Sequence, residues 1–464
     1  MRSLLLIVGL SGVVLTADSS LVAAEDSSSS FKAGVAVKVV TPKEPLWMAG
    51  YAGRKKPAEG KVHDLKVKVL ALQDGKGKKL VLLTSDLLGL SRSLADQIAA
   101  EVIKKSNLSR EQIMLTSSHT HCGPVLGGLL SDMYEMPPEQ PKMIAAYTEE
   151  LKRAIIDTIL AALDDLKPAR FAIGAGKAGF VMNRRQPTDK GVIIGVNPKG
   201  PVDPEVPVLR VETPDGKLRA VVFGYACHNT TLDFFKWCGD YAGFAQAMVE
   251  GDHTGAVAMF WSGCGGDANP NPRNKLEHAE QHGRELADAV ESVLKKDMKS
   301  LQGTFAAHYD KISLPLDDLG TKEKLAERLD ADLSNKQYAV RARANRLKKI
   351  LDSGGTIDDH YPHYPIQVWR LGDEVLWVAL GGEVVVEYAL NLKKDLSAKK
   401  EGAPTVWVTG YANDVMAYIP TAAMLKEGGY EPDYSMIYYG FPGKWAPTVE
   451  TKILDKVKSL SRNP

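Results

Sequence analysis

The sequence predicts an α/β fold in which mixed β-sheets are covered by helices, with a single pocket where strands end. Three observations carry this. Short apolar runs alternate with longer stretches of helical spacing, five of those runs stop in Gly-rich polar segments, and the composition does not break from Phe31 onward. With 464 residues, 44% of them hydrophobic, the chain can build a large core. Lys and Arg total 58 against 57 Asp and Glu, so no net field favours nucleic acid or an anionic membrane as partner. Specificity must come from a local site.

The elements follow in order. Arg2 precedes the apolar run from Leu4 to Leu15, and Val22-Ala-Ala24 offers small residues for cleavage, so 1–24 reads as a secretory signal peptide and 25–30 as a flexible lead-in. That run is too short to span a bilayer, and no later one reaches about 18 uncharged apolar residues. The mature chain, 31–464, is expected to be one exported catalytic domain with no transmembrane segment. Alternation over 34–40 marks a strand, and Trp47-Met-Ala-Gly-Tyr-Ala52 a loop. Strands at 65–72 and 79–84 flank the turn Asp74-Gly75, and Ser91 caps a helix to about residue 105. Further strands are expected at 113–115, 170–173, 206–212, 218–226, 256–261, 304–314, 364–370, 375–380 and 406–408. Helices are expected at 141–163, 243–250, 276–294, 322–351 as one long helix or a pair, and after Pro447. No internal repeat is visible in the sequence.

Five strand ends carry the chemistry: His119/His121, His228, Asp267/Asn269, Glu383 and Asp414/Tyr418. Ligands of α/β sheets gather where such ends converge. His119 and His121 close the run Ile113-Met-Leu-Thr-Ser-Ser-His-Thr-His-Cys-Gly-Pro124, and on extended backbone they point the same way, able to share a metal or to divide ligand and acid–base roles. Two histidines and a carboxylate form the donor set of a hydrolytic zinc site with one position open. Such a metal lowers the pKa of bound water to about 7. Glu383, where an apolar helix begins, is the expected anionic donor.

Other polar groups have plainer explanations. Arg184 and Arg185 lie in the irregular loop Val181-Met-Asn-Arg-Arg-Gln-Pro187, either an anion site or surface. His278 and His282 are four apart on a helix but lack the Glu position of His-Glu-x-x-His, so they read as surface residues. Asp358-Asp-His-Tyr-Pro-His363 reads as a loop with at most a rim role. Four cysteines do not make a disulfide scaffold; Cys227 and Cys264 either bridge or stay as buried thiols.

At these residues the sequence resembles the catalytic domain of the neutral/alkaline ceramidases, zinc amidohydrolases that cleave ceramide into a sphingoid base and a fatty acid. The resemblance is carried by Gly34-Val-Ala-Val with Met48-Ala-Gly-Tyr51, Ser118-His-Thr-His-Cys-Gly-Pro124, Asn183-Arg184, and Val202-Asp-Pro204 with Val208-Leu-Arg210, in order along almost the whole mature chain. It implies Zn2+ held by His119, His228, Glu383 and Tyr418, the phenol being a ligand that the residues alone do not give. It further implies that His121 assists proton transfer, that Arg184 lines the site and that Tyr430 holds the oxyanion. One departure stands out. Asn269 in Gly266-Asp-Ala-Asn-Pro-Asn271 occupies the place of the family's attacking serine, and an amide cannot be an activated nucleophile. The family's C-terminal β-sandwich domain is expected to be absent.

The expected activity is therefore a zinc-dependent amidohydrolase acting on a lipid or small-molecule amide, by zinc-bound water with His121 or Asp267 as base. Ser262 and Cys264, close by in the same loop, could offer a covalent route, and Cys122 is a third such side chain. A zinc hydrolase of another amide or ester, and an exported binding protein that keeps the metal without turnover, are the alternatives.

Overall fold

The computed structural model of the chain describes residues 31–397 and 403–462, so the expected signal peptide and lead-in lie outside the described residues. Three mixed sheets organise it. The first has the order Ile113–Leu115, Lys79–Ser85, Lys66–Gln73, Lys32–Val39, Lys167–Pro168. The second runs Val257–Ser262, Leu218–Tyr225, Glu205–Glu212, Arg170–Lys177, Lys299–Ser300, and the third Phe305–Pro315, His360–Leu371, Val375–Leu380, Thr405–Thr409.

The same path recurs in each sheet. Three antiparallel strands are followed by a helix that carries the chain to a fourth strand, parallel to the third. The crossover helices are Arg92–Lys105, Asp240–Asp252 and Val386–Leu396. In the first two sheets a second helix, Gln140–Asp164 or Leu276–Leu294, then returns the chain to pair briefly with the first strand's free edge. The third has the helix Val449–Ser461 packed on its first two strands. Topology thus repeats where sequence does not, because hydrophobic period and helix placement set this path and many residue choices satisfy them.

Alternation along the strands explains how the sheets stack. Leu70, Leu72, Leu80 and Leu82 of the first sheet, Leu209, Val222 and Trp261 of the second, and Trp369, Trp377 and Trp407 of the third enter one shared core. Their neighbours Val69 and Leu83, Phe223 and Phe260, and Val378 and Val408 face outward into three separate cores. Helices cover those outer faces, so strands such as Val375–Leu380 are buried on both sides and read as continuous apolar runs. At the centre Trp377 lies 5.4 Å from Trp261 and 5.1 Å from Trp407 between ring centroids. Trp377→Ala would open a cavity there and cost about 3–5 kcal/mol. Gly34 permits the close approach of the helix Gln140–Asp164, since a Cβ there would overlap the Ala162 carbonyl.

Several expectations need adjustment. The charged stretch 322–351, expected as one helix or a pair, is the pair, Lys322–Asp332 and Tyr338–Asp352, inserted between the first two strands of the third sheet around a small core of Leu325, Leu329 and Leu347. The loop 181–187 is instead two short strands, Val181–Asn183 against Ala268–Pro270 and Arg185–Thr188 against Gly191–Ile194. His360 opens a strand, so the segment around it is not a loop. Ser91 occupies the cap position but donates to Gly127 O at 3.3 Å without capping the helix. Among the described residues no helix is long and apolar enough to cross a membrane.

Candidate metal centre

The fourth strands of the three sheets are tied together at their ends. Thr116 bridges to Ala412, Gly263 bridges to Thr409, and Ser262 Oγ donates to Ser118 O at 2.9 Å. His119 follows directly, with its backbone in the left-handed region at φ 59°. A non-glycine residue is held there only where its surroundings fix it. His119 Nδ1 meets Leu88 O at 2.6 Å, and its ring lies 4.3 Å from Tyr411 between centroids. His228, beyond the third strand of the second sheet, sets its Nδ1 2.7 Å from Gly265 O. A carbonyl can only accept, so in both rings the proton sits on Nδ1 and Nε2 presents a lone pair.

Glu383 lies beyond the third strand of the third sheet. It is not the first residue of a helix, as the sequence suggested, but the start of the short strand Glu383–Val384, three residues before the helix begins at Val386. Parallel pairing sets it opposite Tyr418, which brings both side chains to one place. Glu383 Oε2 is 3.0 Å from His119 Nε2 and 3.0 Å from His228 Nε2, and Tyr418 OH is 3.2 Å from His228 Nε2. His121 joins from the open end, its Nε2 3.2 Å from His119 Nε2. Gly50 makes room for it, because a Cβ at that glycine, whose φ is 95°, would run into the His121 ring.

These contacts set two lone-pair nitrogens against a carboxylate oxygen that has no hydrogen-bond partner. Without a cation between them such an arrangement is repulsive, and a divalent metal is what that donor set fits. Burial raises the Glu383 carboxyl, and only positive charge at the His119 and His228 positions, as imidazolium or as a bound cation, outweighs it and holds the group well below the usual carboxylate range. Burial and then the Arg184 guanidinium push His228 down to about 4. Burial, followed by the two neighbouring imidazoles, likewise holds His121 well below the ordinary histidine value. His119, His121 and His228 form a buried cluster that could hold a metal ion.

The surrounding residues divide into contacts and braces. Arg184 Nε donates to Glu431 Oε1 at 2.8 Å, while Arg185 reaches the other oxygen of Glu431 at 2.7 Å. The Arg184 guanidinium also stands 5.3 Å from the Tyr418 ring and 5.6 Å from the Tyr430 ring, with one terminal nitrogen unpartnered. Asn269 Oδ1 is 3.4 Å from both Arg184 and Thr230 Oγ1. Asp267, expected to share the base role, has its oxygens engaged instead. It accepts from the Val386 amide at 2.8 Å and from Asn183 Nδ2 at 3.1 Å, which braces the Glu383 segment, and burial pushes it up to about 6. Asp414 belongs to a strand-end group but faces away from the histidines, accepting from the Tyr361 hydroxyl.

Sequence reasoning missed Tyr439, whose hydroxyl donates to Glu383 Oε1, and Glu431, which pairs with both arginines. The need of a buried arginine for a counter-charge was a signal for Glu431; nothing pointed to Tyr439. His282 is buried and stacked 4.5 Å from Phe180, its Nε2 on Pro272 O at 2.7 Å, so it is a core residue and not a surface one. His278 bonds Arg273 O at 3.0 Å. All four cysteines are free and buried, so Cys227 and Cys264 do not bridge.

Fold and site together define an α/β protein with a histidine-rich candidate metal centre at converging strand ends. Residues 31–313 match the family described as neutral/alkaline non-lysosomal ceramidase, N-terminal. The chain belongs to that family and is a ceramidase-like hydrolase. Among solved structures, neutral ceramidase from Pseudomonas aeruginosa is similar with a TM-score of 0.71 at 18% identity, over 93% of this chain and 74% of that one. A ceramidase complexed with C2 gives a TM-score of 0.72 at 17% identity, over 93% and 75%. At such identity the likeness is one of fold. No curated protein matches the sequence.

Proposed function

We propose that the chain is a zinc-dependent amidohydrolase that cleaves an N-acyl amide of the ceramide-like class, with His119, His228, Glu383 and Tyr418 as the metal ligands. The reading rests on one observation above the rest: Glu383 Oε2 lies 3.0 Å from each of two imidazole lone pairs with no proton donor between them. Zinc, when bound, supplies Lewis acidity that polarises the amide carbonyl and acidifies water. His121, neutral through burial, accepts the proton of the attacking water at Nε2 and returns it to the leaving amine. Tyr430 and the free N–H of Arg184 donate to the developing oxyanion. Asp267 positions the Glu383 segment. The chain acts as a single catalytic domain, exported after removal of residues 1–24.

Water is the nucleophile in this reading because the side chains that could replace the family serine are ill suited. Asn269 is an amide, burial raises the Cys122 and Cys264 thiols far above the range where thiolate forms, and the Ser262 hydroxyl is committed to Ser118 O. The purified chain should carry one zinc and hydrolyse acyl amides without a pre-steady-state burst. Asn269→Ala should slow turnover by roughly ten- to a thousandfold, the cost of one lost donor, without silencing it. A burst, or an acyl adduct trapped on a side chain, would end the water mechanism. Zinc without any turnover would favour the second reading that Asn269 suggests, a metal-holding amide-binding protein.

A further inference from the structure

Among the described residues, the buried arginines have carboxylate partners with one exception. Arg184 and Arg185 share Glu431, and Arg343 pairs with Asp332. Arg54 is equally buried, at 5% exposure, yet among the described residues it pairs with no carboxylate. Its guanidinium is held by carbonyls, Phe234 O at 2.9 Å and His121 O at 2.8 Å, and its Nε has no partner. It rests 5.2 Å from the Tyr51 ring and 5.3 Å from the Phe235 ring. Carbonyls and aromatic faces orient a guanidinium but leave its charge uncompensated, which is costly in a buried setting.

Beside it lies a cavity of about 570 Å³, lined by Tyr51, Arg54, Asp233, Phe235, Arg273 and Asn274. Arg273 is a second cation without a carboxylate partner among the described residues. One of its terminal nitrogens donates to Tyr51 OH at 3.3 Å, and its Nε is buried and unpartnered. The cavity adjoins the candidate metal centre through a shared wall. The Tyr51 ring is 4.7 Å from the His121 ring between centroids, and Arg54 holds the backbone carbonyl of that same histidine. Asp233 is the one carboxylate on the wall, with Asp240 buried beneath. Two guanidinium groups thus stand near Asp233 and Asp240, and among the described residues neither forms an ion pair with either carboxylate.

We propose that this chamber receives an anionic group, a carboxylate or phosphate, carried by the polar end of the amide whose acyl bond lies at the metal centre. The inference rests on the amidohydrolase reading but departs from its ceramide-like substrate, pointing to acyl amides with a charged amine portion, such as N-acyl amino acids. Guanidinium groups recognise such anions by charge-assisted hydrogen bonds, and an incoming anion would supply the counter-charge that Arg54 lacks.

The test compares N-lauroylglycine with its uncharged methyl ester on the zinc-loaded full chain, by calorimetric binding and by hydrolysis. The acid should bind on the order of ten- to a hundredfold more tightly than the ester, the worth of hydrogen bonds to a charged group. Arg273→Gln should bring that ratio close to one. Arg54→Lys, which keeps the charge and removes the planar fork, should lower the ratio even where an alanine would disturb the His121 loop. Equal affinity for acid and ester, or a preference that survives in Arg273→Gln, would overturn the proposal. Inorganic phosphate binding as tightly as the acylated acid would also overturn it, marking a free-phosphate site instead of a substrate subsite. The two readings fail separately. Selective binding of the acid without hydrolysis would sink the amidohydrolase and leave this chamber standing, whereas hydrolysis blind to charge would sink the chamber alone.

Discussion

The first two sheets and the third follow one path through space but put different chemistry at their strand ends. His119 and His121 close the first sheet and His228 the second, so these two supply imidazole nitrogens. The third supplies oxygens, with Glu383 and Tyr418 facing each other in a two-residue ladder and Tyr439 holding the carboxylate from behind. The family match over 31–313 covers the nitrogen half and ends inside the first strand of the third sheet. The oxygen half therefore stands on geometry and on fold similarity. A repeated scaffold evidently does not require repeated chemistry: a common path brings strand ends together, and each end is free to differ.

The largest test breaks the pocket from either half. His119→Ala or His228→Ala should abolish stoichiometric zinc measured by elemental analysis, and Glu383→Gln, which keeps shape but removes the anion, should do the same. If Glu383→Gln keeps one tightly held zinc while the histidine variants lose it, the oxygen half is not ligating and the three-histidine cluster is the whole site. His278→Ala serves as the control and should leave zinc content unchanged.

Tyr439→Phe sharpens the comparison more gently. It removes only the hydroxyl that fixes the outer oxygen of Glu383, and loss of such a supporting hydrogen bond typically weakens metal affinity by about 10–100-fold. Competition with a zinc chelator would measure it, and unchanged affinity would mean that the ladder with Tyr418 alone orients the carboxylate.

A separate test concerns Asp414, the third sheet's carboxylate that faces away from the candidate metal centre. Burial pushes it up to about 7, from an ordinary unfolded value of about 3.9. The folded chain thus binds a proton that the unfolded chain releases between those values, so this group favours folding below about pH 4 and that contribution fades as pH rises toward 7. Relative to Asp414→Asn, the unaltered protein should lose up to about 1.4 kcal/mol of stability per pH unit across that window. Urea unfolding at pH 5 and pH 7 reads it, and parallel stability curves for the two proteins would refute the assignment.

Most elements were legible because their apolar periods were clean, as at Leu276–Leu294, where expected and observed helix coincide. Strand ends were legible for the same reason: Ile113–Leu115 can only stop at the residues that follow, and those include His119. What stayed hidden depended on distant partners. Glu383 looked like a helix start until its pairing with Tyr418, 35 residues on, set it in a ladder. His282 looked exposed because its Glu and Gln neighbours are polar, yet helix phase turns it onto Phe180. Asp267 carried the right chemistry in the right loop, but only its bonds to Val386 and Asn183 reveal a brace. The threefold path was invisible because packing fixes period and direction, not residue identity.

Drawing its polar groups from all three sheets has a consequence for how the candidate centre forms. His119 and His228 leave the ribosome long before Glu383 and Tyr418, so a growing chain holds two nitrogens with no carboxylate to complete them. Closing loops of that length is slow as well as entropically costly, and the pocket can form only once the last sheet has docked. The candidate centre can therefore be complete only late in folding, and a metal ion captured by the finished pocket would fasten three distant segments at once and slow their separation afterwards.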